Sequence, residues 1–299
     1  MRLGKGRKKY WQLYLLLIPA MIYLAIFQYG PMYGIILAFK DYKVKKGYLG
    51  SEWVGFRHFI RFFNHPVFWQ MIKNTLAITL YNLATFPCAV ILALLINEIR
   101  NQKFKKTVQM VTYAPHFLST VVLCGIVAIF VGREGMLGRL VGNLTVGEPE
   151  NLLQVADYFR SIYVWSGVWQ NVGWGTIIYL SALAGIAPEL IEAARIDGAS
   201  RMQVIRHVNI PGILPTIAIT FIMNTGSMLS LGFEKIYLLQ NDLNLEVSNV
   251  LSTYVYDIGL QGGQFSYSTA ISLFNNVVNI LILIVVNRIT KKMSGTGMW

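Results

Sequence analysis

Six stretches of this chain run for at least 24 residues without a single Asp, Glu, Lys or Arg: 11–39, 74–97, 107–132, 161–188, 208–233 and 258–287. About 20 apolar residues carry a helix across the hydrocarbon core of a bilayer, so each stretch is long enough to span it. The interruptions at Pro19, Gly30-Pro31 and Pro87 are of a kind that transmembrane helices tolerate. The pattern predicts an all-α membrane protein with six transmembrane helices, forming a single transmembrane domain over 11–299 behind a short cytoplasmic segment, 1–10. A chain that is 55% hydrophobic with a mean hydropathy of +0.49 could not cover its own apolar surface in water, which excludes most soluble domains.

All 26 Lys and Arg and all 14 Asp and Glu therefore fall between the windows. With the N-terminus cytoplasmic, the inner segments hold 15 Lys and Arg and the outer segments 11, a bias in the direction that orients membrane proteins. Both termini are then inside. The outer loop 40–73 runs against the bias, with Lys40, Lys43, Lys45, Lys46, Arg57, Arg61 and Lys73. Within it, WVGFRHFIRFFNHPVFW sets Trp53, Phe56, Phe59, Ile60 and Phe63 near helical spacing between basic residues. Such a segment suits either a helix lying in the membrane interface or one packed on the outer ends of the spans. The pI of 9.7 does not indicate nucleic-acid binding, because the charge is divided among the loops and builds no single basic face.

The basic start and apolar run at the N-terminus resemble a signal peptide in outline only. The run is too long, lacks an A-x-A-like cleavage site and precedes five further windows, so it reads as the first span. Cys88 and Cys124 fall inside windows and are expected to be packing residues. There is no G-x-x-x-x-G-K-[ST] loop, G-x-S-x-G elbow or H-E-x-x-H pair, so no residue is assigned to catalysis or to a metal. His58, His65, His116 and His207 stand apart from acidic or cysteine neighbours and are expected to be structural.

One polar segment between the fourth and fifth windows carries more information than any other loop. Glu192 to Ile196 are good helix formers, Asp197-Gly198 can break a helix because Gly accepts φ > 0, and Ala199 onward returns to helical composition. Met202, Val204, Ile205 and Val208 interleave with Arg201, Arg206 and His207, giving the second helix an apolar stripe beside basic residues. A helix, turn and helix of this kind could dock into the groove of a soluble partner, or could be an ordinary basic loop that only orients the protein.

The same segment, EAARIDGASRMQVIRHVNIPGILP, resembles the signature cytoplasmic loop of the membrane subunits of binding-protein-dependent ABC importers. Glu192, Ala193 and Ala194 open it, Gly198 takes the glycine position, and Val208, Ile210 and Pro211 close it. YLLLIPAMIYLAIFQYGPMYGIILAFKDY, WVGFRHFIRFFNHPVFWQMIKNTL and GFEKIYLL are similar to the carbohydrate-uptake branch of these permeases, in particular to its complex-oligosaccharide subgroup. Ile186-Ala187-Pro188 replaces the usual Ile-Pro-Pro, which should shift the preceding helix end slightly.

The resemblance implies a type I importer in a bacterial plasma membrane. Its expected partners are a second homologous permease, two ATPase subunits that bind ATP and Mg, and an extracellular solute-binding protein delivering an oligosaccharide. Membrane lipid surrounds it, and no nucleic acid or cofactor binds this chain. The loop 189–207 would be the coupling element, with Glu192, Ala193, Ala194, Asp197, Gly198, Ala199, Met202 and Pro211 engaging the ATPase. Sugars offer apolar ring faces and a girdle of hydroxyls, so their pathway wants aromatic platforms with polar partners. The fourth window supplies YVWSGVWQNVGWGTIIY, whose Gly167, Gly173 and Gly175 allow close approach. The resemblance points to Trp169, Asn171 and Trp174 there, and to Ser227, Ser230 and Glu234 at the end of the fifth window. The competing reading is a stand-alone secondary transporter or channel. Against it stand the absence of acidic residues at membrane depth and of any repeat pairing the first three windows with the last three.

Overall fold

A computed structural model describes residues 11–145, 147–226 and 231–295. The chain opens with α1 (Leu13–Phe39) and a minimal antiparallel hairpin of β1 (Lys40–Asp41) and β2 (Glu52–Trp53), with Lys40 opposite Trp53 and Asp41 opposite Glu52. There follow α2 (Arg57–Phe63), α3 (Phe68–Asn97), α4 (Gln102–Tyr113), α5 (Thr120–Val131) and α6 (Met136–Thr145). The second half contains α7 (Ala156–Ala184), α8 (Pro188–Ile196), α9 (Arg201–Gly226), α10 (Phe233–Leu239) and α11 (Phe265–Ser294). Among the described residues, α1, α3, the segment Thr120–Thr145, α9 and α11 are long and apolar enough to cross a membrane. α7 and α8, bent by 74° at their junction, meet the same measure of length and apolarity only when taken together, so the described helices supply five spans, or six with α7 counted.

The windows locate these spans but not all of their ends. The third window, 107–132, is not one helix: a tight turn, Ala114–Phe117, interrupts it around Pro115. Proline supplies no N–H and its ring crowds the preceding turn. The helix restarts at Thr120, where the Ser119 side chain accepts a hydrogen bond from the Val122 N–H. The fifth span begins at Arg201, earlier than its window, and is described as far as Gly226. The sixth begins at Phe265, because Gly262-Gly263 end the preceding turn and Gly263 has φ 65°.

The chain divides into two compact units, 1–65 with 255–274 and 66–254 with 275–299. In the first, Phe39 stacks on Trp53 at 5.8 Å and meets Phe56 and Phe59 at 5.5 Å each. Lys40 is buried and its Nζ donates to the Tyr48 and Leu49 carbonyls at 2.9 and 3.1 Å. His58 and Phe62, one turn apart on α2, are buried, while Phe56, Ile60 and Phe63 are exposed. The Arg61 guanidinium lies 4.2 Å from the centre of the Tyr267 ring. Thus α2 is a packed helix, and the face it buries is not the apolar row that the spacing suggested. His58 contacts the Lys40 carbonyl through Nε2 at 3.1 Å, a structural role as expected.

The second unit is organised around α7. The N-terminal half of this helix buries Phe159, Tyr163 and Val164 against Leu123, Cys124, Val127 and Val131 of α5 and against Ile236 and Leu239 of α10. Its C-terminal half packs Tyr179 and Leu183 on Val90, Ala93 and Leu94 of α3 and Ile213 of α9. In lipid no hydrophobic force draws helices together, so close packing and interhelical hydrogen bonds must do so. Gly173 lets α4 approach until an added Cβ would sit 2.0 Å from the Thr112 carbonyl oxygen, and Tyr179 Oη pairs with Thr220 Oγ1 of α9 at 2.9 Å. Buried Cys124 and half-buried Cys88 are free thiols in packing positions.

Candidate functional site

Two features stand out in the second unit, a cavity that sets polar groups in a largely apolar wall and the helical hairpin between α7 and α9. The cavity has a volume of about 550 Å³ and lies between α3, α7 and α9 and the segment from Leu231 to Lys235. Ten residues of α7 line it, and among them Tyr163, Gly167, Asn171, Trp174 and Ile178 recur at intervals of three and four and so form a continuous row along the helix, flanked by Val168, Gln170, Val172, Gly175 and Tyr179. Thr79, Asn82 and Thr85 of α3 and Thr220 and Asn224 of α9 add hydroxyls and amides.

The aromatic wall is fixed by hydrogen bonds. The Trp174 indole stacks on the His116 imidazole with centroids 4.5 Å apart and planes 7° apart, and Phe117 meets its edge at 5.7 Å. His116 Nδ1 lies 3.0 Å from Asn171 Oδ1, while Asn171 Nδ2 donates to the Gly167 carbonyl at 3.1 Å. Asn171 is thereby held in one orientation. His116 escaped the sequence reading as an isolated histidine. The available signal was its place in an Ala-Pro-His-Phe break inside an otherwise apolar window.

Of the expected pathway residues, the structure brings Asn171 and Trp174 together on the cavity. Trp169 is not on it: two residues from Asn171, it falls on nearly the opposite face of α7 and is 47% exposed. Glu234 is also exposed and off the lining, whereas its neighbour Lys235 lines the cavity. On a helix, adjacent residues diverge by about 100°, so Glu234 and Lys235 take different faces and only Lys235 meets the cavity. Ser227 and Ser230 lie outside the described residues. Lys235 Nζ donates to the Tyr163 carbonyl at 2.8 Å and stands 4.8 Å from the centre of that residue's ring. Gly167 makes room, since a Cβ there would come within 3.1 Å of Nζ. Burial pushes the Lys235 ammonium down to about 8, so it remains mostly charged at neutral pH. Its sequence signal was its solitude: it is the single Lys or Arg in 234–257.

The hairpin follows from local chemistry. Ala187 is extended, as the residue before a proline prefers, and Pro188 opens α8 in the first turn, where its missing N–H costs nothing. At the other end Gly198 adopts φ 81°. Its N–H donates to the Arg195 carbonyl at 3.1 Å, and the Ala199 N–H donates to that of Ala194 at 2.9 Å, the paired bonds of a Schellman cap. Ser200 and Gln203 then form a capping box, with Ser200 N–H to Gln203 Oε1 at 2.7 Å and Gln203 N–H to Ser200 Oγ at 3.4 Å. The Ser-x-x-Gln spacing that signals this box was present in the sequence and went unused.

The second helix of the hairpin is the start of α9 itself, so the expected apolar stripe divides. Val204 is buried and Ile205 and Val208 half-buried, while Met202 is 69% exposed. Leu190 and Ile196 of α8 are also exposed, Ile196 at 85%. Glu192, Ala193, Asp197, Gly198 and Pro211 are exposed, and Ala194 and Ala199 half-buried. The hairpin therefore presents a bare apolar ridge on a charged surround. Pro211 follows a wider turn over Ile205–Asn209, as expected where a proline removes one bond from the helical ladder.

Residues 85–294 match the family model described as the binding-protein-dependent transport system inner membrane component. The chain belongs to this family. It is a membrane-spanning permease subunit of a binding-protein-dependent importer, with the type I permease fold, and it is a transport subunit. Two proteins of Bacillus subtilis (strain 168) are each 43% identical to it. One is the polygalacturonan/rhamnogalacturonan transport system permease protein YteP, covering 96% of this chain and 90% of the relative. The other is the protein LplB, covering 96% and 91%. Among solved structures, a chain of a bacterial alginate ABC transporter in complex with an alginate pentasaccharide-bound periplasmic protein matches at 37% identity. It covers 100% of both chains with a TM-score of 0.89.

Proposed function

We propose that this permease forms half of the translocation pathway for an oligosaccharide, and that the α8 hairpin couples the pathway to separate ATPase subunits. A second homologous permease supplies the other half, and an extracellular solute-binding protein delivers the sugar. The acidic polysaccharides named for the relatives make uronate-bearing chains the first class to test. The observation that carries the reading is the cavity, in which a rigid indole platform stands beside oriented amides and hydroxyls. Sugar ring faces stack on such platforms while the equatorial hydroxyls exchange hydrogen bonds with the polar wall.

Coupling follows from connectivity. α8 is joined to α7 by the 74° bend and to α9 by the Gly198 turn, and both α7 and α9 line the cavity. Movement of an ATPase gripping the exposed ridge is thus delivered to two walls of the pathway at once. ATP and Mg belong to the ATPase subunits, and this chain holds neither.

The experiment is uptake by the reconstituted complex in proteoliposomes with loaded binding protein. Trp174→Ala should lower sugar uptake about fivefold or more, the loss of a stacking platform costing on the order of 1 kcal/mol. Trp169→Ala should change it by less than about twofold. Equal effects of the two substitutions would remove the cavity from the pathway.

Orientation is tested separately. We place Lys5 and Lys291 in the cytoplasm, and Lys45 and Glu148 outside, in a bacterial plasma membrane. With Cys88 and Cys124 replaced, single cysteines at these four positions should react with an impermeant maleimide in intact cells only at 45 and 148. Labelling at 291 without permeabilisation would invert the topology.

A further inference from the structure

Among the described residues lining the cavity, Lys235 carries the single formal charge. It takes no part in the ion pairs of Lys43 with Asp41, Arg133 with Glu148 and Arg139 with Glu134. Its Nζ has three donors, and the Tyr163 carbonyl takes one at 2.8 Å. The Tyr163 ring at 4.8 Å adds a weak attraction on one side. A half-buried ammonium without a carboxylate is costly, and a structural tether between α10 and α7 needs no charge at all.

From this geometry we infer that Lys235 is a specificity-determining residue that pairs with the carboxylate of a uronic sugar as it passes through the cavity. The inference rests on the pathway reading above. A lysine suits a passing cargo. It is a point charge on a flexible stem, whereas a bidentate arginine would fix one orientation of the carboxylate. The Trp174 platform receives the apolar ring face and Lys235 reads the charge, so a neutral sugar of the same shape meets only half of the site. Transport also requires release, and one cationic contact, with one of its three donors already held by Tyr163, binds without trapping.

The test uses the complete complex in proteoliposomes, with its companion permease, ATPases and binding protein, and two probes: a galacturonate trisaccharide and its methyl ester, which has lost the charge but keeps the ring. Lys235→Gln keeps a hydrogen-bond donor but carries no charge, and Lys235→Arg keeps the charge. The Gln variant should lower the ratio of acid to ester uptake at least about tenfold relative to wild type, and the Arg variant should hold it within about threefold. Loss of both substrates in equal proportion, or an unchanged ratio, would show that Lys235 is only a tether and overturn the inference, with the pathway reading intact. A wild-type complex that imports no oligosaccharide would instead overturn the pathway reading.

Discussion

Gly173→Val is expected to prevent stable assembly of the permease, and Gly173→Ala to lower its thermal stability sharply. A Cβ at this position would lie 2.0 Å from the Thr112 carbonyl oxygen, 2.4 Å from its carbon and 2.9 Å from its Cβ. Overpacking a fitted site costs about 1–3 kcal/mol when side chains can yield, and here the obstacle is backbone, so the cost should exceed that range. The strain falls where α4 crosses the middle of α7, next to Trp174 and to Thr176, whose Oγ1 donates to Tyr113 Oη at 3.3 Å. Gly175→Ala is the control, since its Cβ would meet only the Ala89 side chain, at 3.2 Å. Thermal melting of the purified protein, followed by size-exclusion chromatography, should rank wild type, then Gly175→Ala, then Gly173→Ala. Wild-type melting of Gly173→Ala would mean that α4 and α7 separate freely.

Gly198→Val should leave insertion intact and abolish coupling. An L-residue in the left-handed region costs roughly 1–2 kcal/mol, and a β-branched one more. Nothing lies within 4 Å of the added Cβ, so the penalty is purely conformational and falls on the Schellman cap that sets the angle between α8 and α9. Relieving it requires the turn to rotate, which changes the angle between α8 and α9 and with it the ridge that carries Ile196 and Met202. Gly198→Asn should be tolerated, because Asn enters this region at little cost. The measurement is ATP hydrolysis by the reconstituted complex, with and without loaded binding protein. Stimulation should vanish in the Val variant and survive in the Asn variant. Full stimulation in the Val variant would show that the turn does not transmit motion.

Much of the architecture was legible because a bilayer leaves a chain few choices. Charge is expelled from spans, so the windows revealed how many helices cross and roughly where. Helix ends were less legible where proline and glycine fell inside a window. The break at Ala114–Phe117 and the late start at Phe265 replace continuous apolar helices with shorter ones, and a count of charges is blind to both. The turn of the α8 hairpin was readable at Asp197-Gly198, because that break acts through local backbone energetics, while the helices on either side of it start at Pro188 and Arg201 rather than at Glu192 and Ala199, where composition put them.

The cavity was readable only in part. Residue types identified the polar, aromatic stretch of α7, but with every face of that helix rich in Trp, Gly or Asn, type alone could not say which face meets the cavity. Trp169 and Trp174 look alike in sequence. They are separated by which neighbours α7 packs against, and that is decided by α4 reaching Gly173 and by α10 reaching Gly167. The same packing turned Lys235 inward and left Glu234 exposed. By itself the sequence determined the membrane class, the number of spans, the hairpin and the family, because these depend on composition and local spacing. Only the tertiary structure decided which side chains share the cavity, because helix rotation is set by close contacts between segments distant in the chain.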